Sequence, residues 1–270
     1  MPELPEVQTV LDTLESKIKD REIVDIKILY EPIVECSKKT FRKKLIGQHF
    51  CSFKRRGKYL LFEMDDLTLV SHLRMEGKYF ILDETYPLSK HDHVIFFLDD
   101  GKQLRYNDVR KFGRMELIEK QEEYRDFHDL GPEPFSSDFN VSYCREYLSK
   151  KKLPIKQVLL DQSFVAGIGN IYADEILFAI RIDPRTSADR LDENDIKNLI
   201  KETRKILKRA IKAGGTTIRS YTSSLGVTGR FQLSLNVHTM EECPLCGNDI
   251  KKITLGGRGT YFCDRCQIRK

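Results

Sequence analysis

No stretch of the 270 residues approaches the ~20 consecutive apolar residues that a membrane-spanning helix needs. Nor does the chain open like a signal or transit peptide. It begins MPELPEVQT, with two acids and no Lys or Arg, whereas targeting segments are basic and avoid acids. The cytoplasm is therefore the expected location. An even-numbered disulfide framework is also missing: there are seven cysteines and no export signal. Internal repeats and low-complexity tracts are absent. So is any His-x-Glu segment, which argues against the zinc deaminases, whose metal-bound water needs that acid. Strong overall basicity is lacking too. The net charge is +5 and the pI about 8.7, below the pI of about 9 that flags nucleic-acid binding.

What is present is ordinary globular composition, 40% apolar and 32% charged, long enough for two domains. The positive charge is clustered, in KKTFRKK (38–44), KRRGK (54–58), KKKLPIK (150–156) and RKILKRAIK (204–212). Such runs are either solvated faces or the footprint of a polyanion. Residues 5–20 place Val7, Val10, Leu11, Leu14 and Ile18 on one helical stripe. From about 23 to 118 the pattern changes to runs rich in Ile, Val, Phe, Tyr and Leu, broken by Asp-Asp, Glu-Gly and Asp-Asp-Gly. These predict antiparallel hairpins in a sandwich or barrel. DLGPEPFSSDFN (129–140) is a turn-rich break. Beyond it, LPIKQVLLDQSFVAGIGNIYADEILFAI predicts two helical stretches around Gly167–Asn170. A third helix is predicted from Asp192 as cap to Gly214 as stop, with Ile196, Leu199, Ile200, Leu207 and Ile211 inward. Residues 216–235 read as a mobile loop. Three domains are expected: 1–130, 131–235 and 236–270.

The tail carries Cys243, Cys246, Cys263 and Cys266 in a C-x2-C-x16-C-x2-C pattern. That spacing fits a zinc ribbon with one Zn2+ per chain. Four thiolates fill a tetrahedral sphere and leave no place for water, so the expected zinc is structural and holds a hairpin too small for its own core. At the hairpin tip, LGGRGT offers Arg258 between glycines, as a solvated arginine or as a contact to an anion. GIGN has two readings, a plain helix corner or a phosphate site with Asn170 as N-cap. Met75 in HLRMEGKY, expected at a hairpin tip, and Phe112 in VRKFGR read as core in isolation. With Arg110 at exposed turns, they would instead be side chains able to wedge into a DNA stack.

Taken in order, PELPEV, RRGKYLL, HLRMEGK, KHDHV, YNDVRKFG, LGPEP, GIGNIYADE, GGTT and GRGTYFCDRC run from residue 2 to 266 and resemble the formamidopyrimidine-DNA glycosylase family. The resemblance implies an α+β multidomain fold: an N-terminal helix with an antiparallel β-sandwich, a helical helix–two-turn–helix domain, and a C-terminal zinc-ribbon finger. It implies a monomeric bacterial enzyme, nucleoid-associated through its partner, damaged double-stranded DNA. The implied activity is excision of oxidised purines, 8-oxoguanine and formamidopyrimidines, with strand cleavage by β,δ-elimination. By that resemblance Pro2 is the nucleophile and Glu3 the acid/base. Lys58 is the proton donor of β-elimination and Arg258 that of δ-elimination. Met75, Arg110 and Phe112 fill the hole left by the flipped base. His72, His91, Lys151 and Asn170 contact phosphates, and Lys156 approaches the lesion nucleotide. The segment 216–229 closes over the base, and Glu6 and Glu175 lie close to the active centre. The sequence departs from the family before the first zinc cysteine, where VHTMEE puts His238 in place of the usual Tyr.

The chemistry is sound for these residue types. An α-amino group titrates near ~8, so a proline freed by loss of Met1 has a usable unprotonated fraction at neutral pH. Its secondary amine condenses with a sugar aldehyde to an iminium, a strong electron sink, and a neighbouring carboxylic acid can protonate the ring oxygen. Two other functions compete. An endonuclease VIII-like enzyme would take oxidised pyrimidines, but PELPE and the long 216–229 segment favour the purine enzyme. A non-catalytic DNA-binding protein would be expected to have lost Pro2, Glu3 or Lys58, and all three are present.

Overall fold

A computed structural model describes residues 1–120, 124–216 and 229–270. The chain divides into two compact units, Met1–Phe127 with Gly214–Arg230, and His128–Ala213 with Phe231–Lys270. The cysteine module thus packs with the helices and forms no third unit. The core of the segment read as a mobile loop, 217–228, lies outside the described residues.

In the first unit, α1 (Leu4–Ile18) buries Leu4, Val7, Val10, Leu11, Leu14 and Ile18. Leu4 is its first residue and Pro5 its second, so the missing proline N–H still falls among the donors that have no helical partner. The strands follow: β1 (Ile23–Ile28), β2 (Ser52–Arg56), β3 (Tyr59–Glu63), β4 (Leu67–His72), β5 (Lys78–Asp83), β6 (Asp92–Leu98), β7 (Lys102–Asn107) and β8 (Arg114–Glu119). Between β1 and β2 lies a helix that the sequence reading takes only as a charge run, α2 (Lys38–Leu45). Ser37 caps it, accepting from Thr40 N–H, and only Phe41 and Leu45, one turn apart, face inward.

The strands form two antiparallel sheets, ordered β1-β6-β7-β5 and β2-β3-β4-β8. Their facing sides share one apolar core with α1, in which Phe50, Phe53, Phe62 and Phe96 meet edge to face or stacked. This is the expected sandwich. Met75, however, is not on a hairpin. β4 and β5 belong to different sheets, as do β7 and β8, so residues 73–77 and 108–113 are crossovers from one sheet to the other. They run side by side, because His72 pairs with Arg114 at one end and Lys78 with Asn107 at the other.

The second unit holds α3 (Val141–Ser149), α4 (Ile155–Leu160), α5 (Asn170–Ala179), α6 (Glu193–Lys212) and the hairpin β9 (Lys251–Leu255) with β10 (Arg258–Phe262). α6 follows the expected course, except that Ile206 is buried and Ile211, expected inward, is only half-buried. Asp192 and Asp195 cap each other's backbone N–H at 2.9 Å, and Gly214 beyond its end has φ +76°. α4 is much shorter than its apolar run suggests. The Asp161 carboxylate takes the N–H and hydroxyl of Ser163, a local bond that competes with the helix. Gln162 then ties the turns together, donating to the carbonyls of Leu160 and Ile168 and accepting from Gly167 N–H.

Candidate active centre and nucleic-acid interface

In the first unit, Pro2 and Glu3 are buried at the start of α1, and Glu3 is only 3% exposed. Glu6 explains the arrangement. One carboxylate oxygen accepts from Glu3 N–H at 2.9 Å, and the other accepts from the N–H and hydroxyl of Thr216 at 2.8 and 3.1 Å. A single side chain therefore fastens the beginning of the chain to the segment that enters 217–228. Gly215 is required there: its φ is +74°, and a Cβ would lie 2.8 Å from that carboxylate. Lys58 occupies the two-residue turn Gly57-Lys58 between β2 and β3, buried, while Arg55 holds the Gly57 carbonyl at 2.8 Å. Burial, and to a smaller degree the Lys58 charge, push the chain's terminal amine below its usual range, against Glu3, Glu6 and Glu76.

The two crossovers carry the wedge candidates. Met75 is 36% and Phe112 48% exposed, so neither is core, and the Arg110 guanidinium lies 4.8 Å from the centre of the Phe112 ring. His72 ends β4. Burial first, then the charges of Arg74 and Lys58, push its imidazole down to about 3, so it is neutral at any physiological pH. Its Nδ1 accepts from Arg74 N–H at 2.9 Å, which puts the proton on Nε2 as a donor. His91 is half-buried just before β6.

The second unit supplies the metal site. The four cysteine sulfurs lie within 4.8 Å of one another, with Cys243–Cys266 at 3.8 Å and Cys246–Cys263 at 3.6 Å. Zinc–sulfur bonds of about 2.3 Å in a tetrahedron set the sulfurs about 3.8 Å apart, so the site fits one structural zinc. Gly256 and Gly257, at φ +56° and +74°, make the two-residue turn of the hairpin and leave Arg258 exposed beside it.

Three expectations change here. Lys156 is fully buried. Its ammonium lies 2.8 Å from Asp174, 3.0 Å from the Gly259 carbonyl and 2.8 Å from the Thr260 hydroxyl. It cannot touch a nucleotide from there; it fastens β10 to α5. Asn170 is the first residue of α5 and Gly169 the cap, because the Asn170 amide turns to donate to the same Gly259 carbonyl at 2.9 Å. Glu175 is also structural, accepting the backbone N–H groups of Asn236, Val237 and His238 at 2.9 to 3.0 Å. Lys151 stays half-exposed with its ammonium over the Tyr147 ring.

Sequence reasoning missed Asp174, which receives Lys156 and also His238 Nδ1 at 2.7 Å, with Tyr261 packed on the imidazole. It missed Asp108 as well. Both acids lie in motifs that the sequence reading singles out for other residues, NIYADE and YNDVRKFG, and their partners come from across the fold.

A β-sandwich that buries Pro2 and Glu3, with exposed Met75 and Phe112 on its crossovers, and a helical unit carrying a four-thiolate site make up the architecture expected of a DNA-repair glycosylase. Comparison with known proteins agrees. The formamidopyrimidine-DNA glycosylase N-terminal domain matches residues 1–115, the H2TH domain of that enzyme 130–222, and the zinc finger found in FPG and IleRS 241–268. The formamidopyrimidine-DNA glycosylase of Ligilactobacillus salivarius is 47% identical over the whole of both chains, and that of Bacillus subtilis 46%. A solved Lactococcus lactis complex with abasic-site DNA superposes with a TM-score of 0.93 at 44% identity, covering 98% of this chain and 99% of that one. A second, with Fapy-dG DNA, matches at the same TM-score, identity and coverage. The chain belongs to the formamidopyrimidine-DNA glycosylase family.

Proposed function

We propose that this protein is a DNA glycosylase and AP lyase of base excision repair that removes oxidised purines through Pro2. The observation that carries the reading is the burial of Pro2 and Glu3 at the start of α1, in the same unit as buried Lys58. Once Met1 is removed, the Pro2 nitrogen becomes a secondary amine, and burial, which lowers the present terminal amine, acts on it in the same direction. The amine attacks the sugar C1′ as the bond from C1′ to the base breaks, and the proton lost from the Pro2 nitrogen balances the one that the departing base takes up. Glu3 protonates the ring oxygen, the ring opens, and the iminium makes the C2′ proton acidic. Loss of that proton expels the 3′ phosphate, with Lys58 handling protons in this step. Arg258 serves the second elimination and holds phosphate. His72 donates Nε2–H to a phosphate without bringing a charge. Met75, Arg110 and Phe112 occupy the space of the extruded base, offsetting an unstacking cost of a few kcal/mol. The enzyme works on the chromosome in the cytoplasm.

The test is borohydride trapping on duplex DNA with 8-oxoguanine opposite cytosine. A covalent adduct is expected with the wild type, and Glu3→Gln is expected to lower it strongly. Absence of any adduct on this lesion and on an abasic site would end the catalytic reading.

A further inference from the structure

Two crossovers bear the wedge side chains, and one buried assembly holds both. Asp108 is fully buried and starts the second crossover. One carboxylate oxygen accepts from Arg110 N–H at 2.9 Å; the other accepts from Phe112 N–H and Gly113 N–H, both at 2.9 Å. The carboxylate therefore sets the backbone direction at Arg110 and Phe112 themselves, with Lys111 between them at φ +57°. The rest of Asp108 is tied as firmly. Its N–H donates to the His91 carbonyl at 3.0 Å, and its own carbonyl lies 2.7 Å from His93 Nε2.

Tyr106, also fully buried, links this loop to the other one. Its phenol oxygen sits against both Gly77, at the end of the Met75 crossover, and Gly113, at the end of the Phe112 crossover. A methyl group on either glycine would overlap that oxygen, which is why both positions lack a side chain. The phenol also reaches toward the Asp108 carboxylate, at 3.5 Å. The ring is fixed from behind by Tyr79, whose hydroxyl donates to Ser71 at 2.7 Å.

We infer that Asp108 and Tyr106 are positioning residues that lock the two crossovers together, so that Met75, Arg110 and Phe112 enter the duplex as one preformed wedge. The inference rests on the wedge role proposed above. Neither residue touches DNA; both act through the loops they hold. A carboxylate accepting three backbone donors in a buried site loses most when one oxygen becomes an amide, because the new N–H₂ faces a donor.

The experiment compares Asp108→Asn, Tyr106→Phe, Phe112→Ala and the Asp108→Asn/Phe112→Ala double variant under single-turnover conditions. Two substrates separate extrusion from chemistry: duplex with 8-oxoguanine opposite cytosine, and a single-stranded abasic oligonucleotide that needs no base extruded. Asp108→Asn is expected to slow duplex excision about tenfold more than abasic-strand cleavage, the scale of a small misplacement of a positioned group. Tyr106→Phe, which removes one oxygen and keeps the ring, is expected to shift the same ratio by about threefold. In the Phe112→Ala background, Asp108→Asn should add less than about twofold, since both then act on one step. Effects that multiply in the double variant, or an Asp108→Asn loss equal on both substrates, would overturn the inference. If Phe112→Ala alone leaves duplex excision unchanged, the wedge role itself fails and the inference falls with it.

Discussion

The two units hold their exposed loops in place in different ways. The first rests on an apolar interior: two sheets and α1 share a core of Leu, Ile, Val and Phe, and buried polar groups serve the loops at its edge. The second also has apolar helices, but its hairpin is held by polar means. Zinc thiolates close one end, and Lys156, Asp174, His238 and Asn170 hold β10 at the other. A hairpin of five-residue strands buries too little to stand alone, so charge and metal replace area. The sandwich should therefore be insensitive to treatments that disable the hairpin.

The largest break in that comparison comes from chelation. Structural zinc contributes on the order of 10 kcal/mol to such modules. Its removal should unfold the hairpin and abolish tight DNA binding, while hydrogen exchange in β3, β4 and β7 stays as slow as before. Next is Lys156→Met. Removing one partner of a buried pair costs about 3–5 kcal/mol, and exchange should rise first at the amides of 258–262. Equal loss of protection in the sandwich would refute the division of labour.

His72 brings the first unit's own sensitivity. Its folded value of about 3 lies below the unfolded value of 6.5, so the unfolded state takes up the proton first. Stability is complete above pH ~6.5 and falls as the pH drops toward 3, by a few kcal/mol at its limit. His72→Asn, which keeps an acceptor for Arg74 N–H, should flatten the melting-temperature profile between those limits. The smallest effect is expected at Lys150–Glu146, a fully solvated pair one helical turn apart. Lys150→Gln should leave the melting temperature unchanged, and a clear drop would show that this reading of surface charge is wrong.

Much of this was legible in the sequence. α1, the strand runs, α6 with its cap and stop, and the cysteine spacing all follow from local periodicity and residue chemistry. α2 was hidden because five of its eight residues are Lys or Arg, which masks the pair Phe41 and Leu45. The fate of Lys156 and Glu175 could not be read, because both find their partners far along the chain, at Gly259 and at 236–238. A lysine in a basic run looks like a DNA contact until its neighbour across the fold is known. Met75 and Phe112 erred the other way in isolation: they lie on crossovers between sheets, and side-chain hydrophobicity alone carries no sign of sheet order.

In the proposed mechanism Pro2, not a lysine, forms the covalent bond to the sugar. Borohydride-trapped adduct on abasic duplex, digested and sequenced by mass spectrometry, tests it directly. The expected product is a sugar-linked peptide that begins at Pro2 with Met1 absent. A trapped peptide containing Lys58 or another lysine, or an adduct formed while Met1 is still attached, would contradict it.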